Sequence, residues 1–364
     1  MMSAILTADY SDSPKPHPSV HSGSELVEDL LPLGEKVRMR GLVIFILPAI
    51  MIITDLAFAS NYLFYLEGQS VIGYSTKQKK TIFYSLSQED VMQKPSVGFD
   101  YLRRLSGETR DYGTLAIQAR LAYNGEVDKK FEPQLYNAYI KYKTGLADIW
   151  LGHNRPALGL SSYLDSHTQL FPTLAMQGFG YERDWGLGLY REFNWGNFAL
   201  TATAGSGMPL YLKGNYLTAT RISKGILAQD NYTFGFSLAY GRTLNTMSYH
   251  LMEPDPIQFV MLGGDFTYLW RNVENRFEFF IGEKEERKAY ALFGRSEIDL
   301  SGEGRLKLGI QPVCWETANT WDYQFYAGIS FQITGDIAVR SLYQYVQDTK
   351  DQRIVFQIYY YKGL

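Results

Sequence analysis

The sequence predicts an all-β protein, a transmembrane antiparallel up-and-down β-barrel of about 16 strands, with 14 and 18 as the next counts. Three observations predict it. Segments of apolar/polar alternation recur through most of the chain, an export signal precedes them, and no run of about 20 apolar residues offers a helical span. The clearest segment is Trp321–Ile333. Its odd positions (Trp321, Tyr323, Phe325, Ala327, Ile329, Phe331, Ile333) are apolar or aromatic, while Asp322, Gln324, Ser330 and Gln332 fall between them. Successive side chains of a strand point to opposite faces, so this strand has one greasy and one polar surface. A closed barrel gives lipid to the first and water to the second.

From the N-terminus, residues 1–38 read as a disordered, over-long extension, with Met39 as the initiator. Residues 39–59 read as a signal peptide. Lys36, Arg38 and Arg40 precede the apolar stretch, the 13 residues of Gly41–Ile53, with Arg40 the basic residue inside the peptide, and Leu56-Ala57-Phe58-Ala59 follows as the small-x-small site cut between Ala59 and Ser60. Residues 60–364 are then the barrel, placed in the bacterial outer membrane.

Composition agrees with a barrel. The chain is 46% hydrophobic with a mean hydropathy of −0.20, too polar for a helical bundle, yet it holds 28 Tyr, 21 Phe and 6 Trp. Tyr and Trp suit membrane–water interfaces, where one end of the ring is wet. Cys314 is the single cysteine, so no intramolecular disulfide supports the fold and no haem is attached through paired cysteines. Of 35 Lys/Arg and 38 Asp/Glu, residues 1–59 hold four and seven, leaving 31 of each sign. A neutral barrel argues against nucleic acid as a partner.

Strands follow in order. Leu115, Ile117, Ala119, Leu121 and Tyr123 oppose Gln118 and Arg120. Tyr136, Ala138, Ile140 and Tyr142 oppose Asn137, Lys141 and Lys143. Tyr232, Phe234, Phe236, Leu238 and Tyr240 alternate with Thr233, Gly235, Ser237, Ala239 and Gly241. Leu306, Leu308 and Ile310 alternate with Arg305, Lys307, Gly309 and Gln311, and Ile354, Phe356, Ile358 and Tyr360 with Arg353, Gln357 and Tyr359. Short turn sequences such as Asn194-Trp195-Gly196-Asn197 separate them, so neighbours pair antiparallel. Sixteen strands leave about 19 residues for each strand and its connection. Residues 154–183 break the pattern, lacking alternation and carrying Pro156 and Pro172 among Leu, Phe, Tyr and Met. Such a segment either folds inward to narrow the lumen or packs outside as an extracellular loop.

Leu135-Tyr136-Asn137-Ala138-Tyr139-Ile140-Lys141-Tyr142, with Ile149-Trp150-Leu151-Gly152-His153-Asn154-Arg155-Pro156-Ala157-Leu158-Gly159-Leu160, resembles the phosphate-selective porin O/P type. Gly152, Arg155, Pro156 and Gly159 fill that family's Gly-x-x-Lys/Arg-Pro-x-x-Gly places. The resemblance implies a 16-stranded trimeric outer-membrane channel for small solutes, often anions. The chain departs from the family at its end, Tyr361-Lys362-Gly363-Leu364, and lacks a dense basic run, so phosphate specificity does not transfer.

No catalytic or metal constellation stands out. His17, His21, His153, His167 and His250 lack ligand spacing, Gly205-Ser206-Gly207 reads as a turn, and Glu283–Lys288 as a solvated charge run. No enzyme activity and no cofactor is expected. Chemistry is left to lumen electrostatics. By strand phase Arg120, Lys141, Lys143, Arg271, Arg276, Arg305, Lys307 and Arg340 face water, against Asp148, Asp265, Glu278 and Asp322; Arg155, Asp165 and His167 are the candidates in the long segment. The basic excess suggests weak anion preference; the alternative is that these charges pair and brace the barrel. The expected function is passive diffusion of small hydrophilic solutes or ions, with membrane lipid, solutes or anions, and two further copies of the chain (a homotrimer) as partners. Two alternatives stay open: a barrel sheathing a multihaem cytochrome that carries electrons outward, and a barrel hydrolase.

Overall fold

The computed structural model describes residues 61–82, 94–107, 110–123, 131–164, 170–226, 230–247, 249–317 and 319–364. The expected extension, the signal peptide and the Ala59/Ser60 cleavage site lie outside them. The strands run β1 (Asn61–Ser75), β2 (Lys80–Ile82), β3 (Ser96–Ser106), β4 (Asp111–Tyr123), β5 (Phe131–Lys143), β6 (Asp148–Asn154), β7 (Asp184–Phe193), β8 (Gly196–Thr203), β9 (Tyr216–Lys224), β10 (Tyr232–Thr243), β11 (Thr246–Met247), β12 (His250–Leu251), β13 (Ile257–Trp270), β14 (Val273–Lys284), β15 (Arg287–Asp299), β16 (Leu306–Thr317), β17 (Thr320–Gln332), β18 (Ile337–Val346) and β19 (Asp351–Gly363). Each barrel strand pairs antiparallel with its sequence neighbours, and β1 closes on β19 from Tyr65↔Gly363 to Ser75↔Arg353. Setting aside β2 and the separate β11–β12 hairpin, 16 strands form a closed ring in which every strand has a neighbour on each side.

The expected faces appear along most strands. In β10, Tyr232, Phe234, Phe236, Leu238 and Tyr240 are exposed and every residue between them is buried. In β17, Trp321, Tyr323, Phe325, Ile329 and Phe331 point outward, while Gln324 and Tyr326 are buried inside. Aromatic pairs collect near both ends of the outer wall. Tyr62–Tyr101 and Phe193–Trp195 lie at the end holding the barrel's termini; Tyr123–Phe131, Tyr216–Tyr240 and Tyr290–Trp321 lie at the other. These are interfacial girdles around an apolar band, the outer surface a bilayer requires. Connections at the terminus end are short, whereas the opposite end, the loop end, carries the segments 155–183, 204–215 and 244–256.

Two expectations about side-chain direction need correction. A bulge shifts the β4–β5 register, so that Gln118 pairs with Asn137 but Ala119 with Leu135. Tyr136 is the extra residue and turns inward to 0% exposure, instead of sharing the outer face with Ala138 and Ile140. Nor is the inner wall uniformly polar. Ala219, Ala239, Phe259, Met261, Phe280, Ala291, Phe293 and Val313 form one buried cluster with residues of the 155–183 segment, a dry sector inside the barrel.

The chain leaves the wall after Asn154. β5 therefore pairs with β6 only from Ala138↔His153 to Lys143↔Asp148, and the edge of Phe131–Asn137 lacks that partner. The 204–215 segment and the β11–β12 hairpin cover the breach. The Tyr249 hydroxyl accepts from the Leu135 N–H and donates to its carbonyl (3.3 Å), which satisfies both backbone groups of that edge residue. Met208 packs on Tyr136, while Leu210 and Leu212 stay exposed. The buried Asp184 carboxylate holds this cover in place, accepting from the backbone N–H groups of Gly205 (2.7 Å), Ser206 (3.2 Å) and Gly207 (3.1 Å).

Candidate functional site: the narrowed lumen

The described parts of the 155–183 segment, residues 155–164 and 170–183, fold into the barrel and pack on its inner wall. Leu158, Leu160, Leu164, Leu170, Phe171, Leu174 and Phe179 are all buried, and they pack against the apolar inner sector. Removing each such side chain from water contributes roughly 1.5–3 kcal/mol. The two motif glycines permit the inward course. Gly152 (φ 128°) and Gly159 (φ 53°) have backbone conformations that disfavour a Cβ, and at Gly159 the Glu278 carboxylate occupies the place a Cβ would take.

Polar contacts then fix the segment to the wall at successive strands. Thr201 of β8 accepts from the Ala157 N–H (3.1 Å), Ser237 of β10 from Gly159 (3.0 Å) and Glu278 of β14 from Leu160 (2.5 Å). The Tyr163 hydroxyl donates to Asn197 of β8 (2.8 Å) and accepts from Arg221 of β9 (2.7 Å). Burial holds that phenol above its ordinary range, so it stays protonated and serves both bonds. Farther along, Arg295 of β15 reaches the Phe171 and Pro172 carbonyls (both 3.3 Å), and Gln311 of β16 donates to Pro172 (2.9 Å). The Phe171 ring rests on Gly309 and Gly328, where a Cβ would approach it to 2.8 and 2.9 Å. The result is a fixed constriction attached through many strands.

A polar belt lines the wall formed by β1, β3–β5, β18 and β19. Arg183, at the end of the inward segment, donates to Asn137 (3.0 Å), Asn137 to Gln118 (2.8 Å), and Gln118 to Glu67 (3.4 Å). Arg120 lies 3.4 Å from the Glu67 carboxylate, donates to Ser96 (3.2 Å) and stacks over Tyr136 at 4.1 Å. Higher on the wall Gln357 donates to Gln69 (2.9 Å) and Arg340 to Gln357 (2.7 Å), with Arg340 also over the Tyr359 ring. Two ion pairs skip a strand. Arg120 of β4 reaches Glu67 of β1 over Gly98, and Arg221 of β9 reaches Asp265 of β13 over Gly235. A side chain on either glycine would collide with the arginine crossing it.

The candidate residues divide by position. Arg120, Lys141, Arg276, Glu278 and Arg340 face the lumen; Lys141 lies 3.5 Å from Asp148, and Arg276 pairs with Glu274. Lys143 and Lys307 sit toward the terminus end and are exposed, while Arg155 is half-buried where the chain turns inward. Arg305 is off the wall, in the 300–305 turn, exposed and 3.2 Å from Glu303. Arg271 is likewise in a turn, over Trp270. Asp165 and His167 lie outside the described residues. Glu67, Arg183, Asp184, Arg221 and Arg295 were missed. The alternation of β1, β9 and β15 carries the signal that points Glu67, Arg221 and Arg295 inward, whereas Arg183 and Asp184 follow a stretch without alternation and carry none.

No protein-family model matches the chain, and no curated protein matches its sequence. Solved structures share its fold. OmpF of Salmonella typhi, complexed with daunomycin, is 12% identical with a TM-score of 0.60, covering 83% of this chain and 97% of that one. OmpT of Vibrio cholerae, an outer-membrane protein solved in a trimer form, is 11% identical at TM-score 0.56, covering 84% and 100%. An anion-selective porin of Comamonas acidovorans is 9% identical at TM-score 0.57, covering 84% and 100%. The fold is that of the outer-membrane porins.

Proposed function

We propose that this barrel sits in the bacterial outer membrane as a passive diffusion channel for small hydrophilic solutes and ions. The observation that carries the reading is the wall-anchored 155–183 segment. It narrows the lumen on one side and faces a belt of Arg, Glu, Gln and Asn on the other. Inward groups such as Lys141, Asp148 and Arg276 keep partial exposure, so water reaches the wall below the constriction. Asp165 and His167 belong to the same segment and contribute to selectivity.

The channel prefers anions weakly. Several wall cations are matched by carboxylates, Arg120 by Glu67, Arg221 by Asp265 and Lys141 by Asp148. Arg340 instead has the neutral Gln357 and Tyr359 as partners, which leaves its charge acting on the lumen. The resemblance at residues 135–160 to the phosphate-selective type supports a shared inward turn after Gly152-x-x-Arg155-Pro156. Trimer assembly is proposed on the likeness to a porin fold solved as a trimer. A threaded multihaem partner would have to displace the anchored segment.

Planar-bilayer recording tests the reading. Discrete conductance steps with a reversal potential on the anion side in a KCl gradient are expected; a purified barrel that never conducts would refute it.

A further inference from the structure

Between the inward segment and the cover of the wall breach lies a cavity of about 90 Å³ at the loop end. Its sides are of two kinds. Met176, Met208, Ile257 and Phe259 provide apolar surface, and Lys284 and Arg183 provide cationic groups, with Glu182 as the acid among the lining residues. The Lys284 ammonium has three donors, yet its hydrogen bond among the described residues is a single 3.4 Å contact to the Gly178 carbonyl. Glu253 and Glu285 act on it electrostatically without forming an ion pair. A cation so weakly satisfied, at the edge of a cavity, is a place for an anionic oxygen.

We propose that this cavity is a binding site for a small carboxylate with an apolar body, captured at the loop-end mouth before it passes the constriction. Lys284 takes the carboxylate, and the methionine and phenylalanine surfaces take the hydrocarbon. Inorganic phosphate carries the charge but has nothing to offer the apolar side. The proposal deepens the channel reading by naming a solute class, and it rests on that reading for its transport meaning only.

Equilibrium dialysis of the detergent-solubilised barrel against radiolabelled benzoate tests it without requiring conduction. Saturable binding is expected, with neither benzyl alcohol nor inorganic phosphate competing effectively. Lys284→Gln should weaken benzoate binding about tenfold or more, the scale of one charge-assisted hydrogen bond. Lys284→Arg, which keeps the charge, should retain binding, and this variant controls for folding. Equal binding by wild type and Lys284→Gln, equal competition by benzyl alcohol, or no saturable binding would overturn the site. Failure of conductance steps would instead overturn the channel reading, so the two failures are separable.

Discussion

The guanidinium of Arg221 and the carboxylate of Asp265 form a two-bond ion pair (2.9 and 2.7 Å) across an intervening strand, passing over Gly235. Arg221 also holds Tyr163, so the pair joins the wall to the inward segment. Both side chains are about 1% exposed, and removal of one partner strands a buried charge. Asp265→Ala should therefore cost about 3–5 kcal/mol in urea unfolding of the detergent-folded barrel. Arg221→Ala/Asp265→Ala should cost less than the sum of the single changes. A single variant as stable as wild type would show that the pair contributes nothing.

Phe171→Ala should loosen the constriction. The ring fills the space over Gly309 and Gly328, and emptying such a site costs roughly 3–5 kcal/mol. Single-channel recordings should show larger and noisier steps than wild type. Unchanged conductance and noise would mean that the segment does not set the narrowest point.

Arg340→Gln should lower anion-over-cation permeability, by roughly a factor of two or more, because it removes a lumen charge whose partners among the described residues are the neutral Gln357 and Tyr359. Arg305→Gln should leave selectivity where it was, since Arg305 lies in an exposed turn beside Glu303. Reversal potentials measured for both variants across one salt gradient decide the matter. An Arg305 effect as large as that of Arg340 would contradict the assignment.

Tyr249→Phe removes the hydroxyl that caps the Leu135 edge. The loss should be about 0.5–1.5 kcal/mol, with faster amide exchange confined to residues 131–137 and the 204–215 cover. Exchange spread evenly over the barrel would argue against a local seal.

N-terminal sequencing of the protein recovered from outer membranes should begin at Ser60. A start upstream of Ser60 would remove the proposed cleavage after Ala59.

Alternation, a property of neighbouring residues, made most strand faces legible. The outward stripe of β17 and the strict pattern of β10 follow from the period of two without knowledge of any partner. Where one extra residue enters the ladder, as at Tyr136, the same rule misplaces the side chain, because a bulge depends on the register of the opposing strand. Arg305 stands one residue before the start of β16, so the phase of that strand does not govern where its side chain points.

A period of two repeated along the chain is enough to specify a two-faced barrel of about sixteen strands, with one long segment outside the alternating pattern. The inward turn of that segment, and the dry sector of wall that its apolar side chains meet, depend on packing between distant strands. Charge pairing depends on it too. Arg120 meets Glu67 and Arg221 meets Asp265 because the strand between each pair presents a glycine at the crossing level. Such a gap depends on the register of three strands at once, which no local pattern encodes.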